Sequence, residues 1–426
     1  MLSMNNIEKL KRKIPMDYAT VFIYDSVSRI FMLAVTIILI RGMTELDYAD
    51  YVKFSSVSNL ILGMVGGSIS LVYIKFATES RSRNIDNSKT IYLTSTLLIV
   101  FVSILVFPFI NILVSIYDSN YNIVIFSVFF GLLLSLLNLN QAFYQSKENY
   151  RKAGYFNNYK NIVFLVFLLC LLLIGGSLEV KYIIAISFLS VLLAFYISFK
   201  NINSEISIFS KGLNFNFKEI DNLTIIKESF WILIYMFILN IFNQLDIIMI
   251  SSLSNAKDLA QYGVAFKYYS LLLTLLPSIK AVLRVKTSKK DFLDQKNIRR
   301  TATIEWLKKS SYIVIPIFVV IIFTSDYFMH LINGEKYDES IMTFKILAIG
   351  VAFSYIFATS VNMMISARKY YSLISLSVIA LCFNYSFNLL LIPLYGIEGA
   401  AITTIISHII INIGSTFLII KRGKNE

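Results

Sequence analysis

Ionisable side chains interrupt several long apolar runs of this 426-residue sequence. The segment IFNQLDIIMISS, residues 241–252, places the carboxylate of Asp246 inside one such run. At the centre of a membrane helix a charged group of this kind costs about 2.5–3.5 kcal/mol. Groups that bear this cost typically line an ion, proton or substrate path. Six further side chains interrupt apolar runs in the same way: Asp25, Arg29, Lys53, Lys267, Lys345 and His408.

The cationic members of this set predict a binding site for an anionic cargo. The side chains of Arg29, Lys53, Lys267 and Lys345 would attract an anionic group by charge and by charge-assisted hydrogen bonds. For Lys53 a second interpretation stays open, because its long side chain also reaches the outer headgroups from a position near the start of an apolar run.

The carboxylates and the histidine are candidates for coupling or for ion pairing. Asp25 and Arg29 are four residues apart and share a helix face, so a self-neutralised structural pair is an alternative to two functional groups. Asp246 is either a group that couples transport to H+ or Na+, or a hydrogen-bonded structural lock. His408 is either a proton site or a packed polar residue.

The sequence contains no pattern that predicts an enzyme or a bound metal. The chain has two histidines and two cysteines, which are too few for a histidine-based metal site. Cys170 and Cys382 lie in apolar runs and are expected to be packing residues rather than a disulfide. We therefore predict a transporter with no catalytic residues and no cofactor apart from coupling H+ or Na+.

The composition identifies an all-α integral membrane protein. Hydrophobic residues make up 57% of the chain and charged residues 15%, whereas soluble proteins carry about 25% charged residues. A spanning helix needs about 20 mostly apolar residues. Twelve runs meet this requirement, at roughly 20–40, 52–76, 90–116, 121–144, 156–176, 181–200, 229–252, 260–283, 307–329, 339–365, 371–393 and 397–420.

The distribution of lysine and arginine predicts the orientation of these spans. With the N-terminus inside, the inner connections collect most basic residues, whereas the outer connections hold few. This places both termini in the cytoplasm and counts Lys160 with the inner basic residues. The net charge of +13 therefore reflects orientation beside anionic lipid, and we do not expect nucleic-acid binding.

Matching tyrosines indicate that the chain is an internal duplication. Tyr51 and Tyr262 follow equivalent spans, as do Tyr150 and Tyr371. Because each half has an even number of spans, the two six-helix lobes are parallel repeats around a central cleft, an architecture suited to alternating access. The predicted division is an N-terminal lobe at 1–200, a cytoplasmic linker at 201–228 and a C-terminal lobe at 229–426.

Two segments carry a resemblance to a known family. The segment FNLLLIPLYGIEGAAITTIIS, residues 387–407, resembles the turn between the last two helices of polysaccharide flippases in the multidrug/oligosaccharidyl-lipid/polysaccharide exporter superfamily. LDIIMISSLSNAKDLAQYGVAFKY, residues 245–268, is similar to the hairpin of the seventh and eighth helices in that family, although Gln261 and Tyr262 replace the commoner glycine turn. Twelve spans favour the flippases of O-antigen or capsule repeat units.

The resemblance implies a function and a location. The cargo would be an oligosaccharide repeat unit on undecaprenyl pyrophosphate, moved from the inner to the outer leaflet of a bacterial inner membrane by alternating access. In the resembled superfamily, spans one, two, seven and eight line the central cleft, and these spans carry Asp25, Arg29, Lys53, Asp246 and Lys267. We expect a monomer that works with a polysaccharide polymerase and a chain-length regulator. A multidrug exporter of the same superfamily and a membrane polysaccharide polymerase are the alternatives.

Overall fold

The regular structure of the described residues is helical. The computed structural model describes residues 23–24, 26–82, 88–208, 223–273, 276, 296–367 and 369–420. Within these residues the elements follow in the order α1 (26–42), α2 (Glu45–Ile61), a π-helical turn (Leu62–Gly67), α3 (Ser68–Ser82), α4 (Ser88–Ile104), a 3-10 turn (Phe107–Phe109), α5 (Ile110–Ile116), α6 (Tyr121–Ser146), α7 (Tyr150–Leu173), α8 (Val180–Ile206), α9 (Leu223–Leu253), α10 (Ala256–Leu273), α11 (Lys296–Asn333), a 3-10 turn (Glu335–Tyr337), α12 (Glu339–Ile356), α13 (Ala358–Ser366) and α14 (Tyr370–Ile420).

The helices identify a multi-pass membrane protein. Nine helical stretches of the described residues are long and apolar enough to cross a membrane. The last of them, α14, has 51 residues, about 77 Å at 1.5 Å per residue, which exceeds twice the hydrocarbon thickness of about 30 Å. Pro393 lies within α14 and Gly396 has a non-helical backbone with φ 57°, which breaks α14 into two halves. The two halves coincide with the predicted spans at 371–393 and 397–420.

The number of spans stays a prediction. Helices α1 and α10 cover the predicted first and eighth spans in part, and neither is among the nine stretches. The predicted tenth span, 339–365, is divided into α12 and α13 at Phe357. The all-helical class itself is confirmed by the described residues.

Packing divides the chain into two compact units. The first comprises Met1–Met43, Phe54–Val114 and Ser119–Met236. The second comprises Thr44–Lys53, Ser115–Asp118 and Phe237–Glu426. The predicted boundaries at 200 and 229 stay predictions.

Aromatic side chains and buried amides form the core of the first unit. Tyr92 stacks edge-on against Tyr73 and Phe143, with ring centroids 6.4 and 5.8 Å apart. The Tyr92 hydroxyl donates to Asn140 Oδ1 at 2.6 Å, and Asn140 Nδ2 donates to Ser198 Oγ at 2.7 Å. Because hydrocarbon offers no hydrogen bonds, this chain of polar contacts links α4, α6 and α8 while leaving each group paired.

The π-helical turn in the first unit allows a close helix contact. A π turn inserts one extra residue into a helix and commonly marks a functional position. A Cβ atom on Gly66 would lie 2.6 Å from Ser135 Cα on α6, so only glycine fits there. The adjacent Gly67 is different, because its Cβ would meet nothing nearer than the Leu62 carbonyl oxygen at 3.6 Å.

In the second unit, a tyrosine cluster joins the start of α2 to the turn before α12. Tyr48 packs on Tyr51 and on Tyr337, with ring centroids 6.2 and 5.9 Å apart. All three rings are buried. Burial raises the pKa of the Tyr337 hydroxyl, so this group stays neutral, and burial lowers the pKa of Lys336 beside it.

The two adjacent glycines provide a matched test of this packing. We predict that Gly66→Ala destabilises the protein by about 1–3 kcal/mol, because the new methyl group overpacks the contact with Ser135. Gly67→Ala should leave stability unchanged or raise it, because alanine favours helix and has space there. Thermal unfolding of the purified variants in detergent measures both effects. Equal melting temperatures for the two variants would contradict the close contact.

Candidate functional site

The carboxylate of Asp246 lies at the centre of a hydrogen-bond network in the second unit. Its side chain on α9 is 5% exposed. The Tyr262 hydroxyl on α10 donates to Asp246 Oδ2 at 2.7 Å. Asn388 Nδ2 donates to Oδ1 at 2.9 Å, and the Thr404 hydroxyl donates to Oδ2. Helices α9 and α10 and both halves of α14 therefore meet at one carboxylate. We call Asp246, Tyr262, Asn384, Asn388, Thr403 and Thr404 the Asp246 cage.

The break at Gly396 brings the two halves of α14 together in this cage. Asn384 and Thr404 would lie about 30 Å apart along one continuous helix, yet Asn384 Nδ2 donates to Thr404 Oγ1 at 3.4 Å. The Thr403 hydroxyl donates to Asn388 Oδ1. A Cβ atom on Gly399 would lie 2.3 Å from the Leu391 carbonyl oxygen, so the turn tolerates no side chain there. The proline–glycine segment thus has a structural role that positions the site.

The donors around Asp246 are all neutral. Among the described residues, no lysine, arginine or histidine lies within ion-pair distance of its carboxylate. Three hydrogen bonds offset part of the large cost of burying an ionised carboxylate. A group in this condition gains free energy by taking up a proton or a bound cation.

The oxygen atoms of the cage fit a hard cation. Carboxylate, amide and hydroxyl oxygens from Asp246, Asn384, Asn388, Thr403 and Thr404 converge through shared hydrogen bonds. Oxygen ligands of this kind suit hard ions, whereas transition metals prefer imidazole or thiolate. Within the described part of the chain, no group of three or more histidine, cysteine, aspartate or glutamate side chains is placed to hold a metal. This donor set is of the kind that binds H+ on a carboxylate or a hard ion such as Na+, and binding of either at Asp246 stays a prediction.

His408 lies beside this cage, one turn after Thr404 on the second half of α14. Its Nε2 atom is 3.1 Å from the Tyr269 hydroxyl on α10. The Phe242 ring on α9 meets the imidazole edge-on, with centroids 5.2 Å apart. Both contacts hold the imidazole between the same helices that carry the cage.

Lys53 holds a turn in the second unit. Its Nζ atom donates to the Asp118 carbonyl oxygen at 2.6 Å and lies 4.0 Å from Asp50 Oδ1. Asp118 has a positive φ of 40°, so it ends α5 with a left-handed residue whose carbonyl needs a donor. The Ser251 hydroxyl donates to the Tyr117 carbonyl oxygen of the same turn. A structural role for Lys53 is therefore established beside its predicted role in binding.

Lys267 contacts an aromatic ring rather than a carboxylate. Its Nζ atom lies 5.7 Å from the centroid of the buried Tyr51 ring, within the range of a cation–π contact. Val52 packs against Gly263, where a Cβ would lie 2.4 Å from the valine methyl Cγ2, so α2 and α10 approach closely at this point. Lys267 is partly buried and makes no ion pair among the described residues.

Lys345 occupies a different environment on α12. Its Nζ atom forms an ion pair with Asp326 Oδ2 at 2.7 Å, and His330 Nδ1 lies 3.1 Å from Asp338 Oδ1 nearby. These four side chains line a cavity of about 580 Å³ together with Tyr327, Leu331, Ile341 and Met342. Because its charge is already paired, Lys345 has the weakest claim of the predicted cations to a cargo anion.

The predicted Asp25–Arg29 pair is only half described. Asp25 lies outside the described residues. Arg29 is partly buried on α1. The adjacent Ser28 accepts hydrogen bonds from Asn157 Nδ2 at 3.0 Å and from Asn161 Nδ2 at 2.6 Å on α7. A polar contact between α1 and α7 therefore exists in the first unit.

Sequence reasoning identified Asp246 but missed the neutral partners that surround it. Asn388 and Thr404 lie within the segment 387–407 that carries the family resemblance, but nothing in that segment relates them to Asp246. The spacing of Asn384 and Asn388, four residues apart in an apolar run, was the available signal. Sequence reasoning also missed the asparagines of α7, which lie beside Lys160, ten residues after the start of that helix.

Comparison with known proteins gives a family and a fold. A family model described as a polysaccharide biosynthesis protein matches residues 61–342. The chain is similar to the lipid II flippase MurJ in an inward closed conformation, with a TM-score of 0.74, 16% identity, and coverage of 94% of this chain and 87% of that chain. It is also similar to an inward-facing multidrug resistance transporter of the MATE family of the MOP superfamily, with a TM-score of 0.72, 11% identity, and coverage of 94% and 97%. No curated protein sequence matches the chain.

Removing one donor from the cage should destabilise the second unit. Thr404→Val keeps the shape of the side chain but leaves Asp246 with one hydrogen bond fewer, and we expect a loss of about 1–3 kcal/mol. Thr324→Val is the matched control, because the Thr324 hydroxyl bonds only to carbonyls of its own helix. Unfolding in detergent measures both variants. A control that loses as much stability as Thr404→Val would show that the cage contributes nothing specific.

Proposed function

The chain belongs to a family of polysaccharide biosynthesis proteins. From this membership, and from a fold shared with a lipid II flippase and with a transporter of the MOP superfamily, we propose that it is a flippase for a lipid-linked oligosaccharide. The cargo is an oligosaccharide repeat unit on undecaprenyl pyrophosphate, used for O-antigen or capsule. The match to the polysaccharide family, together with a fold shared with a lipid II flippase, carries the proposal. The apolar tail of such a cargo stays in the lipid while its charged head crosses.

The cationic residues supply the attraction for the pyrophosphate. Lys267 is the strongest candidate, because it is partly buried and its charge faces an aromatic ring rather than a carboxylate. A bound pyrophosphate gains more from such an ammonium than from one that is already neutralised. Arg29 on α1 is the candidate in the first unit, and Lys53 contributes if its bond to the Asp118 carbonyl opens.

The Asp246 cage supplies the coupling. Uptake of H+ neutralises Asp246, whereas a bound Na+ would coordinate its oxygen atoms, and either event changes the hydrogen bonds that tie α9 and α10 to both halves of α14. An ion that binds one arrangement of these helices more tightly than another shifts the balance between the two arrangements. Cation binding at this position is thus a means of driving alternating access. His408, which contacts α9 and α10 through Phe242 and Tyr269, is a second proton site within the same helices.

The proposed setting follows from the cargo. The protein resides in a bacterial inner membrane with both termini in the cytoplasm, and acts as a monomer beside a polysaccharide polymerase and a chain-length regulator. Multidrug export is the second candidate, because transporters of the MATE family share the fold. A buried carboxylate without a cation suits a cationic drug, whereas the ammonium of Lys267 opposes one.

A deletion strain tests the function directly. We predict that the strain loses its surface polysaccharide and accumulates undecaprenyl-pyrophosphate oligosaccharide on the cytoplasmic side. Wild-type protein and Lys345→Met should restore export, because the charge of Lys345 is already neutralised by Asp326. Lys267→Met should restore export poorly. The pyrophosphate would lose its contact with an ammonium group that pairs with no carboxylate among the described residues. Surface polysaccharide is quantified by immunoblot, and protein levels are matched.

The outcomes separate the candidates. Normal surface polysaccharide in the deletion strain would refute the flippase, and increased susceptibility to cationic drugs in that strain would favour multidrug export. Full restoration by Lys267→Met would remove this lysine from cargo binding while leaving the flippase in place.

A further inference from the structure

A lysine that has no polar partner among the described residues lies inside a membrane-spanning helix of the first unit. Lys160 is ten residues after the start of α7 at Tyr150, about 15 Å along the helix axis. The helix is long and apolar enough to cross a membrane. The side chain of Lys160 is partly buried. An ionisable residue at such a position indicates a functional site unless a structural partner accounts for it.

No structural partner accounts for Lys160. It forms no ion pair, hydrogen bond or aromatic contact with any residue that the structure describes. The lysines near the start of the same helix behave differently, because Lys147 and Lys152 share the carboxylate of Glu205 at 2.9 and 2.8 Å. Lys147 and Lys152 therefore share a carboxylate at the start of α7, whereas Lys160 within the helix has no carboxylate partner among the described residues.

The neighbouring asparagine adds an unused acceptor. Asn157 lies three residues before Lys160 and four before Asn161, so it neighbours both on the surface of α7, and Lys160 and Asn161 are adjacent in the sequence. The amide nitrogens of both asparagines donate to Ser28 Oγ, which fixes their orientation. Asn161 is 2% exposed, and its Oδ1 atom has no donor among the described residues. Such a buried acceptor is costly unless a ligand donates to it.

We propose that Lys160 and Asn161 bind a hydroxylated, oxyanion-bearing group of the cargo. The ammonium of Lys160 is a donor for a carboxylate or phosphate oxygen, and Asn161 Oδ1 is an acceptor for a neighbouring hydroxyl. Carbohydrates that carry an acid group present both functions side by side. The inference rests on the proposed function only for the identity of the cargo, since the unpaired lysine and the unused acceptor are properties of this chain.

Binding to the purified full-length protein in detergent tests the site. The probes are undecaprenyl pyrophosphate, a disaccharide that contains glucuronic acid, and a neutral disaccharide of the same size. The variants are Lys160→Met, Lys160→Arg and Asn161→Leu, with Lys152→Met as the control that removes a paired cation from the same helix. Melting temperatures confirm that each variant is folded, and Lys160→Arg keeps the charge if methionine perturbs packing.

We expect wild-type protein to bind at least one oxyanion probe more tightly than the neutral disaccharide. Lys160→Met should weaken that binding by about tenfold or more, and Lys160→Arg should retain most of it. The probe that responds identifies the oxyanion as a sugar carboxylate or as pyrophosphate. Asn161→Leu should weaken the binding of the acidic disaccharide but not that of undecaprenyl pyrophosphate, because only the disaccharide presents hydroxyls beside its oxyanion.

Two results would overturn the site: equal binding of the oxyanion probes by wild type and Lys160→Met, or no preference of wild type for them. Neither result bears on export in the deletion strain, so the flippase would stand. Conversely, normal export in the deletion strain would refute the flippase function. Lys160-dependent binding of the probes would still support the proposed binding site.

Discussion

A hydrocarbon interior offers no hydrogen bonds, and the carboxylate of Asp246 must therefore find all of its partners within the protein. It finds Tyr262, Asn388 and Thr404, which come from helix α10 and from both halves of α14. The break at Gly396 allows these two halves to meet. An unbroken helix would hold Asn384 and Thr404 far apart. The arrangement of four helical segments in the second unit thus depends on satisfying one buried charge. Any change in the charge of Asp246 acts on all four of them.

The lysines have different environments from that of the Asp246 carboxylate. Lys53 donates a hydrogen bond to the Asp118 carbonyl oxygen, and Lys345 forms an ion pair with Asp326. Lys267 faces the Tyr51 ring, and Lys160 forms no ion pair, hydrogen bond or cation–π contact with a described residue. These differences rank the cations by the interaction free energy that each would gain from a bound anion. They also separate coupling from cargo binding, since the carboxylate of Asp246 contacts neutral donors and none of these lysines in ion-pair geometry.

Much of the fold was predictable because it depends on features that are local in sequence. Long apolar runs predict the spans, and the pattern of Pro393 followed by Gly396 predicts the turn inside α14. The cost of a carboxylate in an apolar run was enough to single out Asp246. Its partners were not predictable, because helical spacing relates Asn384 to Asn388 but cannot show that another helix places Asp246 against them.

Lys160 shows a second limit. Asn149 caps α7, with its side-chain oxygen accepting from the Lys152 backbone N–H at 3.2 Å, so the helix begins well before the apolar run. Residues 150–155, which the predicted spans leave to a connection, are therefore part of α7, and Lys160 lies ten residues after the start of this helix.

The central claim is that a cation at the Asp246 cage drives movement of the cargo. Its most direct test measures the flipping of a fluorescent undecaprenyl-pyrophosphate oligosaccharide in proteoliposomes under imposed Na+ or H+ gradients. Wild-type protein and Asp246→Asn are compared at equal protein content, since asparagine keeps the size of the side chain and removes its charge. We predict that one of the two gradients accelerates flipping by the wild type and has no effect on Asp246→Asn. An equal response of the two proteins, or a wild type that ignores both gradients, would contradict the claim.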